Sequence, residues 1–192
     1  MMATRPPRAG SRRCRPRSTP QRWRVLLLAV LAGLSACRPG SAEELPEYRL
    51  KAAFLYNFAL FTEWPVGVGP VLNLCVLGKD PFGADLDPLQ GKHVGERSFA
   101  VHRLQGLDGV RDCQVIFFSA AALGSAWQVL EQTRGAPVLT VADSPGALDL
   151  GVALNLSVER DKITFDANLA GPRGGGLKLS SKLLRLAHEV RQ

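Results

Sequence analysis

The first 42 residues lack aspartate and glutamate, although the whole chain has 17 acidic residues against 24 lysines and arginines. Nine arginines fall in this segment, so the net charge of +7 arises there. Without those nine, 15 basic residues face 17 acidic ones from Glu43 onward, a net charge of −2. Nucleic-acid binding needs a basic surface on the folded part, and this distribution argues against that function.

The chain also lacks a hydrophobic run long enough to cross a membrane. Residues 25–34 are apolar and follow Arg22 and Arg24, but a spanning helix needs about 20 residues. A basic flank before a short apolar run is typical of an export signal. We therefore predict a targeting segment over residues 1–42, an exported domain over residues 43–192 and no transmembrane helix in the mature chain.

Two cleavage sites compete at the end of the targeting segment. Residues 40–42 offer small side chains one and three positions before a cut, as signal peptidase requires. Residues 34–37, Leu-Ser-Ala-Cys, instead resemble a bacterial lipobox, in which Cys37 would be lipidated. A lipid on Cys37 would tether a soluble domain to a membrane surface. Both interpretations place the folded domain in the periplasm.

Cysteine is scarce, and only Cys75 and Cys113 of the four lie beyond the targeting segment. In an oxidising compartment such a pair predicts one disulfide, which would close a loop of about 39 residues and contribute roughly 4 kcal/mol. The alternative is a pair of buried free thiols on neighbouring strands. A catalytic thiol is not expected, because both cysteines lie in apolar runs that would raise a thiol pKa.

About 150 residues remain, enough for one domain with its own core. The first helix is apolar on most sides and is expected to be largely buried, with a partner interface as the alternative. We predict an α/β fold: a single compact domain with a mixed β-sheet flanked by helices on both faces and one disulfide. The expected helices are residues 46–64, 82–89, 120–134 and 179–190, and the expected strands are residues 71–77, 98–104, 113–119, 137–142, 152–158 and 162–169.

Particular residues predict details of two of these helices. Ser119 is expected to cap the helix over residues 120–134, and Gly135 is expected to end it. The C-terminal helix is expected to be amphipathic and to turn one apolar side toward the core. That side would be formed by Leu179, Leu183, Leu184, Leu186 and Ala187.

The sequence shows no catalytic, cofactor or metal motif. The three histidines, His93, His102 and His188, are far apart and lack ligand spacing. Residues 171–178 follow a strand, as a phosphate loop does, but a leucine separates the last glycine from the lysine. We predict a flexible glycine loop over residues 171–176, with anion binding at the next helix as the alternative. The protein is therefore expected to be no enzyme and to carry no metal or cofactor.

Several motifs follow one another in the predicted domain. The first are YRLKAAFLYNF at residues 48–58 and FTEWP at residues 61–65. The others are LCVLG at residues 74–78, DPFG at 80–83, CQVIFFS at 113–119, VLTVADSPG at 138–146 and GLKLSSKLL at 176–184. Together these motifs resemble the YfiR family over residues 46–189.

The resemblance implies a periplasmic regulator that tends to form homodimers. The family's namesake restrains an inner-membrane diguanylate cyclase through the cyclase's periplasmic domain, and an OmpA-like outer-membrane lipoprotein can sequester it. The output is cyclic di-GMP signalling and biofilm control. The resemblance further implies that Cys75 and Cys113 form the family's disulfide. A second disulfide has no counterpart, because Ser144 and Gly151 occupy that neighbourhood.

A regulator of this kind acts by docking, so aromatic side chains are its expected contacts. The first helix and the residues after it supply the candidates, with burial in the core as the alternative for each. They are Phe54, Tyr56, Phe58, Phe61 and Trp64. Two other functions stay open: a periplasmic small-ligand-binding module with residues 171–176 as the lip of its site, and an uncharacterised enzyme.

Overall fold

The structure is a computed structural model that describes residues 47–192. The targeting segment, both cleavage sites and Cys37 lie outside the described residues, and the predictions about them stay predictions. Within residues 47–192, no helix combines the length and the apolar composition needed to cross a membrane.

Residues 47–192 contain four α-helices, ten strands and three 3-10 helices. The 3-10 helices are Gly83–Leu89, Val110–Asp112 and Ala120–Ser125. The α-helices are α1 (Glu47–Leu60), α2 (Ala126–Gln132), α3 (Ala170–Gly174) and α4 (Ser181–Leu184). The strands are β1 (Thr62–Glu63), β2 (Val71–Leu77), β3 (His93–Val94), β4 (Arg97–Leu104), β5 (Val115–Phe118), β6 (Leu139–Ala142), β7 (Leu154–Glu159), β8 (Lys162–Asn168), β9 (Lys178–Leu179) and β10 (Val190–Arg191).

Eight strands form one mixed sheet in the order β10-β8-β7-β6-β5-β2-β4-β3. Five adjacent strands in the middle of the sheet, β4, β2, β5, β6 and β7, run parallel. At the two ends of this group, β3 runs antiparallel to β4, and β8 runs antiparallel to β7. β7 and β8 form a hairpin: Glu159 pairs with Lys162, and the two turn residues Arg160 and Asp161 have positive φ angles of 48° and 62°. Such a tight turn matches the twist of antiparallel strands.

Helices cover both faces of this sheet, as predicted. Successive residues of a strand point to opposite faces, so Val115 and Phe117 of β5 join the core under α1. Ile116 and Phe118 join the second core, which packs against α2. Because β5 is apolar on both sides, it needs a cover on both sides.

The disulfide between Cys75 and Cys113 is present, with 6.0 Å between the two Cα atoms. Cys75 lies in β2, and Cys113 lies two residues before the neighbouring strand β5. Both residues are buried. The predicted disulfide is therefore confirmed, and the free-thiol alternative is wrong.

The helix predicted over residues 120–134 is divided. A 3-10 helix covers Ala120–Ser125, and α2 begins only at Ala126. Gly124 and Ser125, which are poor helix formers, stand at the division. Ser119 accepts no capping hydrogen bond, and its buried Oγ has no partner among the described residues. Its side chain instead lies against Gly78, where an added Cβ would be 2.7 Å from that oxygen.

The C-terminal helix predicted over residues 179–190 is wrong in most of its length. Ser180 caps α4 through its Oγ, which accepts a hydrogen bond from the Leu183 amide, but α4 ends at Leu184. The chain then runs beside β8, where the Ala167 amide donates to the Glu189 carbonyl. Hydrogen bonds to the otherwise unpaired backbone groups at the edge of β8 outweigh the helix preference of this segment. Of the five residues expected to face the core, only Leu183 is buried; Leu179, Leu184 and Ala187 are half-buried, and Leu186 is 74% exposed.

Candidate functional site

Beyond its first turn, which contains Glu47 and Arg49, the exposed side of α1 carries no charge. No charged residue lies between Lys51 and Glu63. Ala53, Asn57 and Leu60 are exposed on α1, and the Asn57 amide donates to the Ala53 carbonyl of its own helix. Surface helices usually present charged residues to water, so this side is suited to being covered by a partner.

The five aromatic candidates do not form one surface. Phe58 is fully buried and packs edge-on against Phe165 at 4.9 Å between ring centroids. The prediction that Phe58 contacts a partner is therefore wrong, because its ring belongs to the core. Phe54 is half-buried beside the same Phe165 of β8, at 6.2 Å. Burial in the core, the alternative to partner contact, therefore applies to the whole Phe58 ring and to the buried part of Phe54.

Tyr56 lies on the opposite flank of α1, near the other edge of the sheet. Its ring packs against Phe99 of β4 at 6.5 Å, and its hydroxyl donates to the His93 carbonyl of β3 at 3.0 Å. The Lys92 ammonium lies 4.1 Å from the ring centroid, a cation–π contact. Tyr56 therefore fastens α1 to β3 and is separated from Phe54 by the width of the helix.

Phe61 and Trp64 lie together where α1 ends. The Trp64 indole nitrogen donates to the Ala59 carbonyl at 3.0 Å, which satisfies one of the free carbonyls of the last helical turn. Both rings are half-buried, while Leu60 is 40% exposed and Val66 is completely exposed. We call Leu60, Phe61, Trp64 and Val66 the α1-end patch. Phe61 and Trp64 are the two aromatic candidates in this patch, and Leu60 and Val66 add exposed apolar surface beside them.

A second segment joins α1 at this end through a two-stranded ribbon. β1 and β9 pair antiparallel, with Thr62 opposite Leu179 and Glu63 opposite Lys178. The Ser180 amide also donates to the Phe61 carbonyl. Behind the ribbon lies a cleft of about 220 Å³, which we call the basic cleft. It is lined by Leu169, Pro172, Arg173, Leu177, Lys178, Leu179 and Leu184.

Two cationic side chains, Arg173 and Lys178, line the basic cleft. Residues 167–188 include Arg173, Lys178, Lys182 and Arg185 but no acidic residue. Within the described part of the chain, none of these four side chains has an acidic group within ion-pair distance. Glu63, opposite Lys178, is the acidic neighbour on the ribbon. An apolar floor with unpaired cations on its wall suits an apolar group that carries negative charge nearby.

The glycine-rich segment forms one wall of this cleft. Residues 170–174 form the short helix α3 with Pro172 buried, so the flexible loop predicted over residues 171–176 is wrong. A Cβ on Gly175 would collide with the Ala136 carbonyl oxygen. The glycines permit close packing of the backbone, and five residues are too few for an anion site at a helix N-terminus.

A buried ion pair fixes the other end of α1. The Lys51 ammonium lies 2.7 Å from the Asp143 carboxylate and also contacts Glu47, although Lys51 is only 4% exposed. The Tyr48 hydroxyl donates to the same Asp143 oxygen at 3.2 Å. Asp143 follows β6, so the pair joins the start of α1 to the carboxyl end of the sheet. A lone lysine in an apolar helix was the sequence signal for it, and the sequence-based prediction missed it.

The environment of this pair shifts two pKa values in the same direction. Burial lowers the pKa of Lys51, but hydrogen bonds to Asp143 and Glu47 outweigh that effect and hold it above the ordinary lysine value. Burial and the Asp143 carboxylate raise the pKa of Tyr48. Every member has a partner, so the pair is suited to holding α1 in place and not to proton transfer.

No cluster of three His, Cys, Asp or Glu side chains in residues 47–192 is placed to hold a metal ion. His102 contacts Asn73, and His188 contacts Asp166, each at 3.2 Å. His93 lies in β3, where its carbonyl binds Tyr56. The three histidines thus lie in separate parts of the fold.

Comparison with known proteins tests the resemblance noted in the sequence. The chain is similar in fold to a conserved domain protein from Vibrio cholerae O1 biovar El Tor, with a TM-score of 0.51 at 9% identity. The match covers 77% of this chain and 61% of the Vibrio chain, so our chain spans about three fifths of that length. An ABC domain from Streptococcus pneumoniae in complex with L-Trp gives a TM-score of only 0.44 at 7% identity, over 62% of this chain and 55% of the other.

A family model described as YfiR/HmsC-like matches residues 48–188, nearly the whole domain. The family predicted from the seven motif segments is therefore confirmed. The chain belongs to the YfiR/HmsC-like family, and this membership supports a regulatory role in cyclic di-GMP signalling.

Proposed function

We propose that this protein represses an inner-membrane diguanylate cyclase by docking on the cyclase's periplasmic domain, and thereby controls biofilm formation. The observation that carries the proposal is the α1-end patch beside the basic cleft. Family membership supports a regulatory role, and this surface supports docking as its means.

The α1-end patch has properties that favour tight binding. The Trp64 ring is already held by its hydrogen bond to Ala59, and the β1–β9 ribbon holds the backbone on both sides of Thr62. A surface that is rigid before it binds loses less conformational entropy on binding. Aromatic side chains are also the residue type most often responsible for binding energy at interfaces.

The basic cleft indicates what the partner presents. Its volume of about 220 Å³ is below the roughly 300–1,000 Å³ of typical ligand pockets. One protruding apolar side chain of a partner would fill it, and acidic residues around that side chain would meet Arg173 and Lys178. We expect the cyclase's periplasmic domain to carry such a group.

Release of the cyclase is proposed to occur by competition. An OmpA-like outer-membrane lipoprotein that covers the same surface would remove the regulator from the cyclase, because one surface binds one partner at a time. If Cys37 carries a lipid, the domain is confined to one membrane, which raises its effective concentration near one partner.

The test is a comparison of two exposed-surface variants in a gene-deletion strain. Trp64→Ala removes the centre of the α1-end patch, while Val158→Ala removes an exposed side chain at the end of β7. Deletion is expected to raise cyclic di-GMP; the wild type and Val158→Ala restore the low level, and Trp64→Ala does not. Binding of the purified cyclase domain should weaken at least about tenfold with Trp64→Ala.

The proposal is abandoned if the intact, oxidised wild-type protein neither binds the cyclase's periplasmic domain nor lowers cyclic di-GMP. If Trp64→Ala behaves like Val158→Ala, the protein docks on the cyclase through a surface other than the α1-end patch.

A second candidate function rests on the same cleft. Leu177, Leu179 and Leu184 with Arg173 and Lys178 would also suit a small apolar anion. A small-ligand-binding module predicts that such an anion raises the melting temperature in a concentration-dependent way. Arg173→Ala should abolish that rise if the cleft is the site.

A further inference from the structure

The carboxyl ends of β2 and β5 lie at the point where the strand order of the sheet reverses. Along the chain, the five parallel strands follow in the order β2, β4, β5, β6 and β7, whereas in space they lie in the order β4-β2-β5-β6-β7. The chain therefore extends this group first on one side of β2 and then on the other. In open α/β sheets, ligands bind in the crevice at the carboxyl ends of the two strands where this reversal occurs.

The segments that follow these two strands pack on opposite faces of the sheet. After β2, the 3-10 helix Gly83–Leu89 joins the core under α1. After β5, the 3-10 helix Ala120–Ser125 joins the core that packs against α2. Because the two segments diverge, a crevice is left between the strand ends, which we call the switch-point crevice. It is bordered by Gly78 and Lys79 after β2 and by Ser119 after β5.

Ser119 brings an unused hydroxyl group to the switch-point crevice. It lies opposite Gly78, because Phe118 pairs with Leu77 and the Ser119 amide donates to the Leu77 carbonyl. Ser119 is only 3% exposed, and its Oγ has no hydrogen-bond partner among residues 47–192. Buried polar groups without a partner are rare in folded proteins, and each one needs a physical reason. Its hydroxyl hydrogen is therefore available to an acceptor from outside the chain.

Gly78 leaves the room that this hydroxyl occupies. Its φ of 85° is a conformation that glycine adopts readily, and a Cβ there would lie 2.7 Å from the Ser119 Oγ. Rotation about a single bond, χ1 of Ser119, changes the direction of the hydroxyl. A ligand that supplies an acceptor at the strand ends can therefore be met by this group.

Lys79 supplies positive charge beside the hydroxyl. It directly follows the glycine and is exposed, and in the described part of the chain no acidic group lies within ion-pair distance of it. The carboxylates nearby are already neutralised. Asp80 lies 2.6 Å from Arg103, and Asp143, which follows β6, lies 2.7 Å from Lys51. The crevice thus combines a cation and a hydroxyl donor, and its acidic neighbours are compensated.

We propose that the switch-point crevice binds the oxyanion group of a small molecule, a phosphate or a carboxylate, through the Lys79 ammonium and the Ser119 hydroxyl. Both groups donate hydrogen bonds, and a charged oxygen acceptor makes the stronger bond with each. The inference does not depend on the proposed function, because neither the α1-end patch nor the basic cleft contributes a residue to this crevice.

An NMR titration of the oxidised, exported protein tests this inference. The probes are sodium phosphate, sodium acetate and sodium chloride, compared at equal ionic strength so that general screening is the same. Amide signals of residues 78–80 and 119–121 report on the switch-point crevice. Amide signals of residues 173–184 report on the basic cleft, the other place where an anion could bind.

Two variants remove the proposed contacts one at a time. Ser119→Ala deletes a hydroxyl that has no partner in the fold, and Lys79→Met deletes an exposed charge, so neither should lower the melting temperature. Ser125→Ala and Lys162→Met are the matched controls. Ser125 makes no capping hydrogen bond, and Lys162 is exposed at the start of β8.

We expect phosphate or acetate, but not chloride, to shift the amide signals of the switch-point crevice in the wild type and in both controls. Ser119→Ala and Lys79→Met should each weaken this binding at least about tenfold. The salt that binds more tightly identifies the preferred oxyanion. The inference is overturned if no salt shifts these signals more than chloride does, or if neither variant weakens the binding. Shifts confined to residues 173–184 also overturn it, because they place the anion in the basic cleft.

Discussion

At the scale of single residues, Lys51 has a large expected effect on folding. Its ammonium group is buried and neutralised by Asp143 and Glu47, and removing one member of a buried pair leaves the other charge uncompensated. We predict that Lys51→Met lowers the free energy of unfolding by about 3 kcal/mol, measured by urea denaturation.

Two further variants show whether the uncompensated charge is the cause. The double variant Lys51→Met/Asp143→Leu should recover most of the loss, because no charge then stays buried. Arg134→Met, which breaks an exposed ion pair with Glu131, should change stability little. If the double variant is as unstable as Lys51→Met alone, packing and not charge is responsible.

The same pair makes stability depend on pH in the alkaline range. The folded-state pKa values of Lys51 and Tyr48 lie above their ordinary values, so the folded protein keeps these protons longer than the unfolded chain does. Their contribution is complete below about pH 10 and is lost as the pH rises through the higher folded-state values. Urea midpoints measured from pH 7 to 11 should fall above pH 10, and fall less steeply in Lys51→Met. A midpoint that falls equally in both proteins would contradict this.

The disulfide stabilises the protein mainly by lowering the conformational entropy of the unfolded chain. It joins residues 38 positions apart, and chain entropy predicts a contribution of about 4 kcal/mol. Cys75→Ser should lower the melting temperature under oxidising conditions and leave it close to that of the reduced wild type. Equal melting of oxidised and reduced wild type would remove the disulfide's stabilising role.

At the scale of elements, the last strand covers an edge. β10 pairs with β8 through the Glu189 and Arg191 carbonyls, which accept from the Ala167 and Leu169 amides. Removing residues 188–192 should lower stability by about 1–2 kcal/mol and promote self-association through the exposed edge of β8. Hydrogen exchange should become faster at the Ala167 and Leu169 amides; unchanged protection there would mean that β10 contributes nothing to the edge.

Also at this scale, the first helix has two sides with different tasks. Its inner side contributes Leu55 and Phe58 to the core, and its flanks attach through Tyr56 and Phe54 to opposite parts of the sheet. At the end of the helix, where β1 turns away toward β9, the half-buried Phe61 and Trp64 lie beside the exposed Leu60 and Val66. This explains why an almost wholly apolar helix still provides a docking surface.

At the scale of the whole molecule, α1 and α2 pack into separate cores on the two faces of one mixed sheet. The α1-end patch and the basic cleft, at the end of α1, are assigned to a regulatory partner.

The sequence by itself determined the family, the disulfide and the central strands. β2 was predicted at its observed bounds, because a continuous apolar run bounded by turn residues depends on local properties alone. The cysteine pair was predictable because export leaves few fates for two cysteines.

Only the tertiary structure decided the end of the chain and the contents of the candidate surfaces. Residues 185–191 have a helical pattern, yet the unpaired edge of β8 recruits them, and no local signal reports that edge. The aromatic candidates are separated from one another because α1 lies across several strands. Arg173 and Lys178 lie near the end of α1 because β9 pairs with β1 in the two-stranded ribbon. Contacts between residues distant in the chain set these arrangements, and sequence periodicity contains no information about them.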